Sequence, residues 1–259
     1  MSGSVSFDRA SQNYDATRTI DDRSLAILLD ALEAEVLGRG PVLEIGVGTG
    51  QLALPLAGRW ASVIGLDLSG EMMAVLRGKA TDRTKIPLVQ ADATRLPLAS
   101  ASLGGAYARW VLHLIPAWRQ VLRELDRIVV PDGRVAIEPG GFSGPFLEIY
   151  RCYQDILGDA VSMVGLSVIE ETDELDDGFA AAGWAPWREV PILYDRSITL
   201  REVFDQVPAK HGSWTWRVPD DALAAATDSV RAWAEDRFGD LDRPLPPQPA
   251  SLRIYGRSA

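Results

Sequence analysis

The stretch VLEIGVGTGQ, residues 42–51, runs from apolar residues into three glycines at alternate positions. An apolar run before a glycine-rich turn predicts a buried strand whose following loop approaches a nucleotide. Gly46, Gly48 and Gly50 form the pattern G-x-G-x-G. Gln51 stands where a dinucleotide-binding fingerprint has its last glycine or alanine, and the chain lacks the P-loop pattern. The stretch therefore predicts a nucleotide site and counts against NAD, FAD and nucleoside triphosphates.

Glu44 lies two residues before Gly46, at the predicted carboxyl end of the strand. Its carboxylate would repel a pyrophosphate bound at the N-terminus of the following helix. It would attract a ligand that has positive charge and no phosphate. S-adenosylmethionine is such a ligand, because it carries a sulfonium and an ammonium together with a carboxylate and an adenosine. Glu44 therefore favours S-adenosylmethionine over a dinucleotide.

Strand and helix patterns alternate along residues 41–139. The predicted strands are 41–46, 62–67, 86–92, 103–109 and 134–139, the last one after a turn at 131–133. The predicted helices are 20–38, 51–58, 69–80 with Ser69 as N-cap, and 116–129. Such alternation is typical of a parallel sheet covered by helices on both faces. The predicted fold class is therefore α/β, a doubly wound, Rossmann-like sheet.

The alternation breaks after Pro139. Helical patterns follow at about 146–158, 170–182, 199–210 and 219–238, and strand patterns at 187–195, interrupted by Pro191, and at 251–257. We interpret 1–259 as a single domain with a cofactor-binding core over residues 10–139. Residues 140–186 and 196–249 are predicted to form a helical cap, and 187–195 and 250–257 the closing strands.

Acidic residues end the second and third predicted strands, where ligands bind in folds of this type. Asp67 can accept hydrogen bonds from both ribose hydroxyls, a feature shared by NAD and S-adenosylmethionine. Asp92 can accept from the exocyclic adenine amine, and the Ala93 N–H faces a ring nitrogen. A helix cap for Asp67 and a loop-capping role for Asp92 are the structural alternatives.

Three segments resemble successive motifs of class I S-adenosylmethionine-dependent methyltransferases: VLEIGVGTG, VIGLDLS, and the stretch from VQADATRLPL to PDGRVAI. They occur in order and at the family's spacing, and residues 10–139 carry the resemblance. The small-molecule branch, similar to quinone-biosynthesis C-methyltransferases, is the nearest, and FDRASQNYDATR looks like the family's leading segment. The resemblance implies a seven-stranded sheet of order 3-2-1-4-5-7-6 with strand seven antiparallel.

The resemblance also implies roles in binding the cofactor. Glu44 and the glycine loop, Gly46 and Gly48 with Gly50, would hold the methionine part, and the Arg109 carbonyl would accept from its ammonium. Around the adenosine the implied residues are Asp67 for the ribose, Leu68 and Met72 on the adenine faces, and Asp92 with Ala93 on its edge. Tyr14 and Arg18 would fold over the cofactor carboxylate.

The sequence says less about which residues bind or activate the substrate. His113 follows the fourth strand and is the candidate general base, or else a hydrogen-bonded structural residue. His211 and Trp214 in the predicted cap would line an apolar substrate pocket, or the aromatic residues there would only hold the cap against the sheet. The expected reaction is an S_N2 transfer of methyl to an O, N or C nucleophile, leaving S-adenosylhomocysteine. An ionised or electron-rich nucleophile needs no base, so orientation is the expected contribution of the protein.

Composition excludes several other classes. The net charge is −10, which counts against nucleic acid and anionic membranes as partners. One cysteine and two histidines cannot build a disulfide or a Cys- or His-based metal site. The polar start resembles no signal peptide, and no apolar stretch reaches about 18 residues. We therefore expect a cytoplasmic monomer or homodimer acting on a small molecule without a metal.

Two rival functions remain open. An NAD(P)-dependent oxidoreductase would use the same fold, but Gln51 and the absence of a Tyr-x-x-x-Lys pair count against it. A non-enzymatic S-adenosylmethionine-binding module would carry the same cofactor motifs. A methyltransferase for nucleic acids or proteins is disfavoured by the acidic charge and the compact cap.

Overall fold

A computed structural model describes residues 3–60, 62–142, 144–161, 164–166, 174–195 and 198–257. The chain divides into two compact units. The sheet unit comprises Met1–Gly140, Val164–Ile192 and Ala250–Ala259, and the helical unit comprises Gly141–Met163 and Leu193–Pro249. Residues 164–166 and 174–186, predicted as part of the cap, thus group with the sheet.

The strands are β1 Val42–Ile45, β2 Val63–Asp67, β3 Leu88–Gln90, β4 Leu103–Arg109, β5 Val129–Glu138, β6 Trp184–Tyr194 and β7 Gln248–Arg257. In the described part of the chain they form one seven-stranded sheet of order β3-β2-β1-β4-β5-β7-β6. The pairs from β3 to β5 are parallel, and β7 runs antiparallel to β5. The predicted fold class and strand order are confirmed.

The α-helices are α1 Tyr14–Thr17, α2 Asp22–Glu35, α3 Ala53–Arg59, α4 Gly70–Lys79, α5 Trp118–Ile128, α6 Gly144–Leu157, α7 Glu174–Ala181, α8 Leu200–Gln206 and α9 Asp220–Phe238. Helix α4 begins where predicted, because the Ser69 hydroxyl accepts the Met72 N–H at 3.0 Å. Of the helix predicted at 170–182, residues 170–173 lie outside the described residues.

Strands β5, β6 and β7 are longer than predicted. The turn predicted at 131–133 lies within β5, as an irregularity in its pairing with β4 between Leu103 and Gly105. A Cβ on Gly133 would lie 2.7 Å from the Gly104 carbonyl oxygen, so the close approach needs glycine. Strand β6 begins at Trp184, and Pro191 does not interrupt it because an edge strand tolerates a missing N–H donor.

The core of the sheet unit explains why residues 174–184 group with it. Helix α5 buries its apolar face, including Val121 and Leu125, against the sheet. Phe179 of α7 stacks on Tyr255 of β7 with ring centroids 3.7 Å apart, and both side chains are fully buried. Each such burial contributes about 1.5–3 kcal/mol, so α7 belongs to this core.

The helical unit has its own core. Helices α6, α8 and α9 bury Ile149, Phe204 and Val230 together with neighbouring apolar residues. Thr199 and Glu202 form a reciprocal capping box that starts α8. The unit therefore has its own apolar core and a capped helix, and its role as a cap stays a prediction.

Candidate cofactor site

A cavity lies at the carboxyl ends of the parallel strands in the sheet unit. It encloses about 660 Å³ of space, part of it open to solvent. The lining comes from the N-terminal segment (Ser4, Val5, Phe7, Tyr14), from β1 and β2 with their following residues (Ile45, Gly46, Gly48, Leu66, Asp67, Leu68, Met72), from Ala91, Asp92 and Ala93, and from Arg109, Trp110, Val111, Leu114 and Ile115.

The glycine loop after β1 approaches the cavity with its backbone. Gly46 and Gly48 line the cavity, with φ of +70° and +52°, values that favour glycine. A Cβ on Gly46 would lie 2.2 Å from a methyl group of Val111. Gly50 is different: it does not line the cavity, and a Cβ there would meet Leu54 and Leu76 at 2.9 Å. Two glycines thus face the cavity and the third permits close packing.

Asp67 joins two loops at the cavity wall. Its Oδ2 accepts the Gly48 N–H at 2.8 Å, and its Oδ1 accepts the Ser69 N–H at 2.8 Å. Burial raises the pKa of Asp67, while these backbone hydrogen bonds oppose the rise. Leu68 and Met72 also line the cavity, as a contact with the adenine would require. Asp67 therefore serves as a loop anchor and as a cavity-lining acceptor at once.

Asp92 and Ala93 line the cavity beyond β3. The Asp92 Oδ1 accepts both the N–H and the hydroxyl of Thr94, at 2.9 and 2.8 Å, and its Oδ2 accepts the Ser4 hydroxyl at 3.1 Å. Burial alone would raise the pKa of Asp92, but the hydrogen bonds outweigh burial and lower it. The carboxylate is thus a loop cap that still borders the cavity.

The position of Glu44 differs from the one expected from the sequence, in which its charge faces the ligand. It is buried and does not line the cavity, and its Oε2 accepts the Tyr107 hydroxyl at 2.8 Å. Burial raises its pKa to about 8, so the carboxyl is mostly protonated at neutral pH in this structure. Tyr107 was not predicted as a site residue. The Glu44–Tyr107 pairing follows from the β1–β4 register, which local sequence does not reveal.

The ends of β4 and β5 carry a buried ion pair. The Arg109 Nε donates to the Glu138 Oε2 at 3.0 Å, and the Trp110 indole N–H donates to the Glu138 Oε1 at 2.7 Å. The Arg109 guanidinium lies 3.7 Å from the centre of the Trp110 ring. Sequence analysis singled out Arg109 for its carbonyl and missed Trp110 and Glu138. Glu138 is an acid next to the last residue of a predicted strand, which is the signal that could have identified it.

The N-terminal segment covers part of the cavity. Ser4, Val5, Phe7 and Tyr14 line it, and the Val5 N–H donates to the Leu114 carbonyl at 3.0 Å. Tyr14, predicted to contact the cofactor, is therefore at the cavity, and burial raises its pKa.

Arg18 is not among the lining residues. Burial lowers the pKa of its guanidinium, and the nearby charge of Arg109 lowers it further, against the effect of Tyr14. Arg18 thus lies close to Tyr14 and Arg109.

Two aspartates anchor the N-terminal segment. Asp8 accepts the Ser69 hydroxyl at 2.5 Å. The Asp15 Oδ1 accepts from the Thr49 hydroxyl at 2.6 Å and from the Gln51 amide at 3.1 Å, and Lys79 pairs with the other oxygen at 2.8 Å. Gln51, which replaces the last residue of a dinucleotide fingerprint, thus holds the N-terminal segment at the glycine loop.

His113 does not line the cavity. Burial lowers its pKa to about 4, against a hydrogen bond to the Pro139 backbone that raises it. An imidazole with so low a pKa is neutral and weakly basic at physiological pH, which disfavours a general base. The buried position of His113 corresponds to the alternative interpretation, a hydrogen-bonded structural residue. The predicted role as a general base has no support in this structure.

His211 and Trp214 belong to the helical unit. Trp214 contacts the rings of Phe142, Tyr150 and Tyr153, with ring centroids 5.1–6.5 Å apart. The Trp214 ring therefore packs against aromatic rings of its own unit. A substrate-binding role for His211 and Trp214 stays a prediction.

The described residues contain neither a candidate metal site nor a candidate membrane-spanning helix. In these ranges no three His, Cys, Asp or Glu residues are grouped so as to hold a metal ion. No helix in the same ranges is long and apolar enough to cross a membrane.

Residues 43–137 match the family model described as a methyltransferase domain. The demethylmenaquinone methyltransferase of Clavibacter sepedonicus is 31% identical over 61% of this chain and 65% of its own length. The biotin biosynthesis bifunctional protein BioHC of Cellvibrio japonicus is 33% identical over 58% of this chain and 29% of its own length. The chain thus spans less than two thirds of either relative. The YcgJ protein of Bacillus subtilis has a similar structure, with a TM-score of 0.58 and 21% identity over 92% of this chain and 100% of that chain.

These matches and the sheet order identify residues 43–137 as a class I methyltransferase domain. As the resemblance predicted, these residues match the domain of S-adenosylmethionine-dependent methyltransferases, and S-adenosylmethionine is the cofactor of this class.

Proposed function

We propose that this protein transfers a methyl group from S-adenosylmethionine to an O, N or C nucleophile of a small molecule. The observation that carries the proposal is the cavity at the ends of β1 to β4. Glycine backbone at β1 and carboxylates at β2 and β3 border the cavity, inside a methyltransferase domain. An adenosine needs acceptors for its hydroxyls and its amine, and Asp67 and Asp92 provide them.

The lining suits the cofactor in shape and chemistry. Gly46 and Gly48 expose backbone where a Cβ would narrow the cavity or strain the loop. Leu68 and Met72 offer apolar surface to the adenine faces, and Ala93 lets its N–H reach the ring edge. When bound, S-adenosylmethionine supplies an electrophilic methyl group on a sulfonium. The protein's residues would hold and orient that group and exclude water from the reacting atoms.

The same proposal assigns the other predicted residues. The Arg109 carbonyl would accept from the methionine ammonium, and Tyr14 and Arg18 would close over the carboxylate. Glu44 would stabilise the positive charge from beneath the glycine loop once it ionises. Since His113 is a poor base here, we propose an acceptor whose nucleophile is already ionised or electron-rich.

A small-molecule acceptor is supported by the relatives' names, demethylmenaquinone methyltransferase among them. The net charge of −10 supports an acceptor other than nucleic acid. We further propose a cytoplasmic protein that is a monomer or a homodimer, to be checked by fractionation and by light scattering.

The test is calorimetric titration of the full chain with S-adenosylmethionine, S-adenosylhomocysteine and NAD⁺. We expect micromolar binding of the first two and none of NAD⁺. Binding of NAD⁺ alone would instead support the oxidoreductase alternative. A non-enzymatic binding module would bind the cofactor but release no S-adenosylhomocysteine with any acceptor in a panel of phenols, amines and quinols.

A further inference from the structure

A buried acid lies directly behind the cavity wall. Glu44 is 4% exposed, and the two residues that follow it, Ile45 and Gly46, both line the cavity. Among the described residues its side-chain partner is the neutral hydroxyl of Tyr107, and no salt bridge reaches its carboxyl group. A carboxylate kept from water without a paired cation is costly, so this carboxyl group holds its proton while the cavity has no ligand.

The polar groups around Glu44 come from three neighbouring elements. On β4, the Tyr107 hydroxyl donates to Glu44 at 2.8 Å, and the charge of Arg109 favours the ionised form. At the start of α3 the Ala53 N–H also favours the ionised form, whereas Asp67 on β2 opposes it. Burial outweighs the favourable groups and raises the pKa of Glu44 to about 8. One further positive charge nearby would therefore shift the balance towards the carboxylate.

The cation nearest in this set already has an acid of its own. The Arg109 Nε donates to the Glu138 Oε2 at 3.0 Å, and the Glu138 side chain is fully buried. Arg109 therefore balances the charge of Glu138 and favours ionisation of Glu44 only from a distance. The charge that would let Glu44 ionise has to come from a ligand in the cavity.

We propose that Glu44 releases its proton to solvent when the positively charged methionine part of S-adenosylmethionine occupies the glycine loop. The O–H bond of the Glu44 carboxyl group breaks, the buffer takes the proton, and the charge of the ligand replaces it. Tyr107 is a positioning residue, because its hydroxyl donates to the carboxyl oxygen before ionisation and to the carboxylate afterwards. The inference rests on the proposed function, since it takes this cofactor as the ligand of the cavity.

The exchange links cofactor affinity to pH. With a pKa of about 8, Glu44 carries its proton in about nine of ten molecules at pH 7, so binding releases nearly one proton. Because binding releases a proton, affinity increases with pH. The increase is up to about tenfold per pH unit below pH 8, and it levels off above that pH.

The experiment is calorimetric titration of the full chain with S-adenosylmethionine at about pH 6, 7 and 8. Each titration is done in phosphate and in Tris, because the two buffers differ in ionisation enthalpy and the difference in heat counts the protons released. E44Q removes the titrating group and keeps an acceptor for Tyr107, whereas Y107F removes the donor that favours the carboxylate. E124Q is the matched control, because Glu124 pairs with Arg127 and lies outside the cavity.

We expect wild type and E124Q to release nearly one proton at pH 7 and to bind more tightly as pH rises. E44Q should release none and bind with nearly constant affinity, and Y107F should move the levelling-off to higher pH, which a purely structural role would not do. The inference is overturned if wild type and E44Q release equal numbers of protons, or if wild type binds equally well at pH 6 and pH 8.

The pH series of wild type and Y107F decides the question even if E44Q fails to fold, because neither protein lacks the carboxyl group. An affinity that does not change with pH in both proteins overturns the inference. Failure of the proposed function looks different, because wild type would then bind neither S-adenosylmethionine nor S-adenosylhomocysteine at any pH.

Discussion

The backbone N–H of Gly48 donates a 2.8 Å hydrogen bond to Oδ2 of Asp67, and this bond joins the loop after β1 to the end of β2. The other oxygen of Asp67 accepts the Ser69 N–H at the start of α4. One carboxylate therefore sets the distance between the glycine loop and the wall that carries Leu68 and Met72. A ribose placed between these loops would compete for the same oxygens, which links loop geometry to cofactor binding.

Asp67→Ala is expected to weaken the binding of S-adenosylhomocysteine by about 1–3 kcal/mol, because ribose hydroxyls and the Gly48 N–H lose their acceptor. Calorimetric titration measures the effect. Asp82→Ala serves as the control, since Asp82 is 95% exposed and pairs only with the exposed Lys85 among the contacts described. Equal affinity in the two variants would remove Asp67 from the site.

Gly46→Ala is expected to lower the free energy of unfolding by about 1–3 kcal/mol and to weaken cofactor binding. The added Cβ would meet the Val111 methyl at 2.2 Å, and the φ of +70° disfavours alanine. Gly78→Ala in α4 is the control, because a Cβ there has open space and helix propensity favours it by about 0.5–1 kcal/mol. Thermal unfolding of both variants makes the comparison, and a Gly46 variant as stable as Gly78→Ala would contradict the close approach.

Glu44→Gln is expected to gain stability relative to wild type as pH rises from about 5 to 8. Burial raises the folded-state pKa of Glu44 from 4.5 to about 8, so the native protein binds more protons than the unfolded chain in this window. Stability from this group is therefore present at low pH and is lost as pH rises towards the folded pKa. Glutamine keeps an acceptor for the Tyr107 hydroxyl and does not titrate.

The measurement for Glu44 is urea unfolding of both proteins at several pH values. Glu124→Gln is the control: its hydrogen bond to Arg127 lowers the pKa of Glu124, so its contribution is lost only as pH falls below about 4.5. A flat difference between wild type and Glu44→Gln from pH 5 to 8 would show that Glu44 is ionised when buried.

Asp15→Asn is expected to loosen the N-terminal segment over the cavity. The change removes the ion pair with Lys79 and weakens the bonds from Thr49 and Gln51. Amide hydrogen exchange of residues 3–18 should become faster, and S-adenosylhomocysteine should dissociate sooner. Asp22→Asn, outside these contacts, is the control, and identical exchange in both variants would rule out Asp15 as an anchor.

The local elements of the sheet unit were predictable because each carries its own signal. The run 42–45 before glycines, Ser69 before an apolar helix and the amphipathic 118–128 all appear where expected. The predicted bounds were wrong where contacts with segments distant in sequence determine the structure. Residues 131–133 stay in β5 because β4 approaches them closely. Residues 174–181 group with the sheet because Phe179 stacks on Tyr255.

The alternation of strands and helices and the acids at the strand ends were predictable from the sequence alone, because local pattern encodes them, and the resemblance to known methyltransferases implied the strand order. The contacts and the burial of each side chain became known only from the tertiary structure. Burial next to Tyr107 raises the pKa of Glu44, and burial near Pro139 makes His113 a poor base. Such pairings depend on strand register and on exclusion of water, and both arise only when distant segments pack together.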